Sequence, residues 1–490
     1  MPRTRTLTTL HLALPDTREP LRHRIAAAVV DALRTGQLAA GDPLPASRTL
    51  ASDLGVSRGA VVSAYDELAA AGYVVTRAGG STRVAPGAVD AARAGADPHI
   101  TEPAGVVRPP GVLREPAVVD LSPGYPDTTS ISAREWRSSW RTTLFDAVPN
   151  AAPGPELHLR LRTALAGHLR RTRGIVADPD EIVVVPGVLS ALRTLVAAAD
   201  LAGRTIAFED PGYARARRLF EAARVRVRPV PVDADGLPPH LLRDSDAAVY
   251  CTPAHQYPMG GRMPVARRAA LLAASASTGR LVIEDDYDGE FRYGAAVLPA
   301  LRALDHGRDT VAYVGTASKI VSPSLRLAWL IPPAPLLGPV RDVLAVSGET
   351  VSEITADAFA RFVETGALTR HLARVSRTYA ARRHAFVDAL RTHLPAVEPL
   401  GIEAGLHVAL RLPDGTDDVA LAAEITRRGV TVPALANYRA SEQGPRGLLC
   451  GYARLPESKA DAVARTIADV IRGRVGAAAG MSGSCTTSGS

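Results

Sequence analysis

Between residues 181 and 315 the chain returns five times to one pattern: EIVVV (181–185), TIAFE (205–209), AAVYC (247–251), LVIED (281–285) and TVAYVG (310–315). Near-continuous apolar strands of this kind must be covered on both faces, and only a mostly parallel sheet between helical layers does that. The stretches between the runs are rich in Ala, Arg and Leu and helical in character. The expected body is therefore α/β. Farther on, 367–394 reads as one long helix, followed by strands in AGLHVALRL and RGLLCGYAR and a closing helix. That predicts a smaller C-terminal α+β lobe. We place the body at 118–475, with a large lobe over about 150–345 and a small lobe mainly over 346–475. The tail 476–490 has the composition of a disordered segment.

Ahead of this body the pattern differs. Residues 1–85 read as a winged helix-turn-helix unit, mostly α with a small β-wing. A helix over 21–33 closes at Gly36, and LPASRTLASDLGVSRGAVVSAYDELAAAGYV supplies two more short helices. Ser47 is placed to cap the first of these, Leu54-Gly55 to make the turn, and Ser57 to cap the second. The second helix is expected to bury Val61, Val62, Tyr65 and Leu68. Residues 73–76 and 82–85 would be the strands of a wing turning at Ala78-Gly79-Gly80. Residues 86–117, rich in Ala, Gly, Pro and Arg, read as a flexible linker.

A chain of 490 residues exceeds one ordinary core, so several domains are expected. The formal charge of +7 allows a nucleic-acid partner without requiring one. No window is apolar enough for a membrane span, so no membrane partner is expected. The cysteines Cys251, Cys450 and Cys485 are scattered, which fits a reducing cytoplasm and neither a disulfide framework nor a zinc site.

Of 57 basic residues, only Lys319 and Lys459 are lysines. A chain this poor in lysine should keep one where arginine cannot act, and a Schiff-base amine is such a place. Lys319 sits in G-T-A-S-K-I-V-S-P-S-L-R (315–326), after an expected strand. Its amine can condense with an aldehyde, while Thr316, Ser318 and Arg326 are spaced to hold a nearby phosphate dianion. Upstream, I-E-D-D-Y-D ends a buried strand. Asp285 there can pair with a protonated pyridine nitrogen, and Tyr287 can bond a phenolic ring oxygen. Acids at a strand end also suit a metal, but the motif supplies no histidine neighbour, so no metal site is expected. E-D-P-G-Y puts Tyr213 where its face can stack on a ring. V-P-G-V-L-S-A-L ends a strand at Gly187 and opens a helix, a ready phosphate site.

In the head, the second helix opens Ser57-Arg58-Gly59, offering backbone N–H groups to phosphate and an arginine to a base edge or backbone oxygen. Arg48, Arg77 and Arg83 would flank the same groove. Ten arginines against seven acids over residues 1–85 give modest support. This segment closely resembles the GntR-type winged helix, and Ala60 stands where that pattern commonly has Thr. The resemblance implies DNA contacts at Arg48, Ser57, Arg58 and the wing.

The body resembles the fold-type I, class I aminotransferases, and most of all the MocR/GabR-type regulators that fuse a GntR head to such a body. Their runs E-D-P-G-Y, T-P-x-H-Q-[YF]-P-x-G, [IV]-E-D-D-Y-D-x-E-F-R-Y and G-T-x-S-K-x-x-x-P-x-L-R match 209–213, 252–260, 283–293 and 315–326. The resemblance implies pyridoxal 5'-phosphate as an internal aldimine on Lys319. It further implies Asp285 at the pyridine nitrogen, Tyr287 at the ring oxygen, stacking by Tyr213, and phosphate contacts from Gly187, Val188, Thr316 and Arg326. Arg446 matches the arginine that grips a substrate α-carboxylate, and Arg215 is a second carboxylate candidate. Two departures matter. Tyr257 stands in the cofactor site where aminotransferases carry an asparagine, and Leu189-Ser190 replaces their Gln-Gln pair.

The expected function is a transcription regulator whose body senses pyridoxal phosphate, or an amine or amino acid reacting with it at Lys319. The resemblance also implies a homodimer reading double-stranded DNA at paired half-sites. The alternative is a working aminotransferase that carries a DNA-binding head. A third reading, a body kept only as a dimerisation scaffold, is opposed by the retained lysine.

Overall fold

The computed structural model describes residues 10, 12–15, 17, 19–76, 81–94, 119–146, 157–293 and 298–482. The chain separates into two compact units, Met1–Leu113 and Arg114–Ser490.

The first unit holds α1 (Leu21–Arg34), α2 (Ser47–Leu54), α3 (Arg58–Ala70), β1 (Val74–Val75), β2 (Arg83–Val84) and α4 (Ala88–Ala94). Ile25, Val29, Leu33, Leu50, Val61, Ala64 and Leu68 form its core, and each large aliphatic side chain buried there is worth roughly 1.5–3 kcal/mol. Gly55, with φ 64°, ends α2 in the left-handed conformation that lets the chain turn into α3. Ser57 caps α3, its hydroxyl accepting from the Ala60 N–H at 3.3 Å. The wing strands pair antiparallel, Val74 opposite Val84.

Three expectations need correction here. Ser47 is the first helical residue of α2 and caps nothing; instead its hydroxyl accepts from Arg58 Nε at 3.4 Å. Val62 is 39% exposed rather than buried, because Ala64 turns inward beside Tyr65. The linker does not begin at 86, since α4 occupies Ala88–Ala94 and packs Ala88 and Ala92 onto the head's core. That pair is spaced i, i+4 on one helix face, a signal that the Ala-rich composition hides.

The second unit is built on a seven-stranded sheet. Its strands are β4 (Val183–Val185), β5 (Thr205–Asp210), β6 (Arg226–Pro231), β7 (Asp246–Cys251), β8 (Leu281–Asp286), β9 (Val311–Thr316) and β10 (Ala328–Ile331), in the order β4-β10-β9-β8-β7-β5-β6. Strands β5 to β9 run parallel, and β10 is antiparallel to both its neighbours. Successive residues point into two different cores. Ile206, Phe208, Tyr250 and Ile283 face one, while Ala207, Val249, Cys251 and Val282 face the other. Helices α7 (Val188–Ala198), α8 (Ala214–Ala222) and α12 (Leu337–Ser347) cover the first face; α9 (Val265–Ala276) and α10 (Leu301–Leu304) contribute to the second.

The smaller lobe carries the antiparallel sheet β11-β12-β14 (Pro399–Leu400, His407–Leu412, Arg446–Gly451) and a parallel pair of β3 (Val119–Asp120) with β13 (Val430–Thr431). These strands share one core with α5 (Ala133–Phe145), α6 (Leu159–Arg173), α13 (Glu353–Glu364), α14 (Ala367–His393), α15 (Asp418–Arg427) and α16 (Glu457–Ser482). Helix α16 continues past 475, where the tail was placed, through the three helix-favouring alanines 477–479; 483–490 lie outside the described residues. Among the described residues, no helix is long and apolar enough to cross a membrane.

Candidate functional site

The parallel strands all end on one edge of the sheet, and the polar residues expected at those ends meet in a cavity of about 570 Å³. This is where open α/β sheets place their ligands. Lys319 reaches it from α11 (Ala317–Ile320), one turn beyond β9. Thr316 fixes that turn: its Oγ1 accepts from the Ser318 N–H at 3.0 Å and donates to the Leu327 carbonyl at 3.3 Å. The lysine amine lies against Gly124, where a β-carbon would fall 2.8 Å from Nζ and φ is +74°. Burial lowers the amine's pKa below its ordinary value, and Asp285 and Asp288 oppose that shift. A larger unprotonated fraction makes the amine a better nucleophile.

Asp285 ends β8. Tyr250 donates to its Oδ2 at 2.5 Å, while its other oxygen is buried and unpartnered. Burial pushes the carboxyl up to about 6. A buried carboxylate with one oxygen unsatisfied calls for a cationic donor, and a protonated ring nitrogen is one. Tyr287 and Tyr257 line the same cavity; their rings are 5.4 Å apart, edge to face. Tyr213 stands 6.1 Å from Tyr257 in the same relation.

At the other end Gly187 caps α7 with φ +124°, and Val188 opens the helix beside it. A β-carbon at Gly187 would fall 2.9 Å from Arg326 Nη2. Arg326, itself left-handed at φ 49°, donates to the Pro186 carbonyl at 2.7 Å. The helix N-terminus, Arg326, Thr316 and Ser318 thus border one part of the cavity, the donor set a phosphate dianion requires. The residues present fit pyridoxal phosphate at each end.

Residues 125–467 match the family described as aminotransferase class I and II, and residues 21–84 match the bacterial regulatory proteins of the gntR family. The chain is 36% identical over 444 residues to the HTH-type pyridoxine biosynthesis transcriptional regulator PdxR of Corynebacterium glutamicum, covering 89% of this chain and 92% of that one.

The chain belongs to the aminotransferase class I and II family, with a gntR-family head.

A second relative, the probable rhizopine catabolism regulatory protein MocR of Rhizobium meliloti, is 31% identical over 434 residues, covering 85% of this chain and 87% of that one. Among solved structures, an archaeal alanine:glyoxylate aminotransferase superposes with a TM-score of 0.69 at 25% identity, over 73% of this chain and 91% of its own. The GntR–aminotransferase chain is a DNA-binding transcription regulator whose aminotransferase-like body binds pyridoxal phosphate.

Within this regulator the expected residues take different places. Arg446 does not line the cavity. It begins β14 opposite Leu412, and its guanidinium donates to the Glu442 carbonyl at 3.2 Å. Arg215 does line the cavity, as does Arg218. Gly124, Tyr125, Tyr250, Arg218, Asn437 and Tyr438 also line the cavity, though no motif marks them. Tyr250 alone carried a signal, a phenol inside the apolar run AAVYC. The acidic motif has no histidine beside it in the chain, yet His255 and His407 gather with Asp288, their nearest ligand atoms all within 4.8 Å. Chain distance concealed this: His407 lies 119 residues from Asp288, on β12.

In the head, Arg48, Ser57, Arg58 and Gly59 are all exposed, and three of them open α3 or cap it. Arg83 on the wing donates to the Gly41 carbonyl at 3.0 Å. Arg77 lies outside the described residues.

Proposed function

We propose that the body is a sensor: pyridoxal phosphate held covalently through Lys319, or an amine or amino acid that meets it there, governs how the head engages DNA. The observation that carries this reading is Lys319 and the unpartnered oxygen of Asp285 facing one cavity in a chain with a winged helix. When bound, the cofactor supplies an aldehyde that amines attack and a ring that draws off electrons. Asp285 would keep the ring nitrogen protonated. Gly187, Val188, Thr316, Ser318 and Arg326 would hold the phosphate, and Tyr213 and Tyr257 would flank the ring.

Arg215 is our candidate for an effector's carboxylate, since it borders the cavity where Arg446 does not. We further propose that two chains pair through their bodies, so that two heads read paired half-sites with Arg48, Ser57, Arg58, Gly59 and Arg77 at the DNA. The head's relatives are named as regulators, and a signal from body to head is what that pairing would transmit.

Lys319 and Asp285 together also favour a second reading, an aminotransferase with a DNA-binding head. The visible absorbance of the cofactor-loaded protein separates the two. A sensor is expected to stall as a stable adduct with one added amine or amino acid. Cycling of the band with an added keto acid and accumulation of product would establish the enzyme instead.

A further inference from the structure

Tyr287 lines the cavity, and its hydroxyl meets Nδ1 of His255 at 2.9 Å. The same nitrogen lies 3.0 Å from Oδ2 of Asp288. His255 and Asp288 are each 1% exposed, and the imidazole and phenol planes are inclined by only 28°. The other phenols nearby are committed elsewhere: Tyr250 donates to Asp285, and Tyr257 shares a hydrogen bond with Tyr438.

The position of one hydrogen follows from these contacts. Nε2 of His255 is buried and has no partner. A hydrogen there would be a donor with nothing to bond, which is costly in an interior. A hydrogen on Nδ1 instead points at the Asp288 carboxylate, and that bond selects the tautomer. The Tyr287 oxygen then faces an N–H rather than a lone pair. It shares that one N–H with the Asp288 carboxylate as a second acceptor and keeps its own hydrogen for the cavity.

We propose that the Asp288–His255 pair is a positioning device that fixes Tyr287 as a hydrogen-bond donor to the ring oxygen of the bound cofactor. The inference rests on the assignment of Lys319, Asp285 and Tyr287 to the cofactor. Other ionisable groups bear on the trio. His407 of β12 stands 5.0 Å from His255, ring to ring, and burial holds it well below its ordinary pKa, hence neutral. Lys319 and Glu290 act on Asp288, and Asp285, Glu209 and Tyr257 act on Tyr287.

The test is the pH at which the visible band of the pyridoxal-phosphate-loaded protein interconverts. A donor at the ring oxygen draws off negative charge that otherwise helps the nitrogen joined to Lys319 keep its proton. Losing the donor therefore raises the midpoint. Tyr287→Phe and His255→Asn are each expected to raise it by about one pH unit, a tenfold change in the proton's affinity. The double variant should go no further than either single change, because both remove one interaction. Asp288→Asn, which keeps a carbonyl acceptor for Nδ1–H, should move the midpoint the same way by less, and serves if His255→Asn does not fold.

A midpoint that moves in Tyr287→Phe but stays within about 0.2 of the parent in the His255 and Asp288 variants would show the pair to be packing only. Stoichiometric zinc or cobalt in the purified protein, lost in Asp288→Asn, would overturn the proposal in favour of a cation held by His255, Asp288 and His407. No visible band from the parent with pyridoxal phosphate would remove the cofactor assignment and this inference together. A band titrating identically in parent and variants removes the inference alone.

Discussion

The two ends of the cavity are built on different terms. At the cofactor end each polar group is held by the sheet or by a helix start: Asp285 by β8 and Tyr250, Lys319 by the Thr316 turn, Gly187 by the cap of α7. At the end where a substrate's carboxylate would be gripped, the arginines that line the cavity, Arg215 and Arg218, are exposed residues on α8. Preorganisation at one end and looseness at the other suit tight cofactor retention better than rapid turnover, because rate depends on groups fixed before the reaction.

The sharpest way to break this contrast is at Lys319. Lys319→Ala should abolish the visible band and weaken cofactor retention by at least about 100-fold, on the order of 3 kcal/mol, measured by equilibrium dialysis. A normal band would place the covalent attachment elsewhere.

Asp285 offers a test with a sign. Its folded-state pKa is raised to about 6, so the charged form is penalised. Without cofactor, that penalty is absent below the unfolded value near 4 and grows as pH rises through about 6. Asp285→Asn without cofactor should therefore be more stable than the parent at pH 8, by on the order of 2–3 kcal/mol, with the gap closing below pH ~4. With cofactor loaded the order should reverse. Thermal melting of both proteins, loaded and unloaded, at the two pH values checks this.

A smaller effect distinguishes the arginines. Arg215→Ala should weaken the response to a carboxylate-bearing effector by about tenfold, the worth of one charged hydrogen bond, whereas Arg446→Ala should leave it within about twofold. Spectral titration with that effector reads both, and the opposite ranking would restore Arg446 to the site. Smallest for the body, Arg58→Ala should weaken operator binding by about tenfold and leave the visible band unchanged. Fluorescence anisotropy on labelled duplex gives the affinity.

The same contrast explains what could be read from the sequence. The cofactor end was legible because its residues sit in short contiguous runs at strand ends, where spacing fixes direction. β6 and β10 went unread for opposite reasons: β6 is an edge strand carrying Pro229 and Pro231, and β10 is a four-residue apolar run that periodicity cannot separate from helix. The other end was less legible because Arg446 was placed by pattern alone, and a strand's register, which local spacing does not give, decides which way a side chain faces. His255 and His407 were missed because contact between residues far apart in the chain leaves no local trace.

The most direct measurement is operator affinity of the full chain, with and without pyridoxal phosphate and with candidate amines added, beside Lys319→Ala under the same conditions. The account predicts that affinity changes with occupancy in the parent and that Lys319→Ala, still folded and still binding DNA, does not respond. Identical responses in both proteins, or a parent whose DNA affinity ignores occupancy while it turns over amino acids with a keto acid, would contradict it.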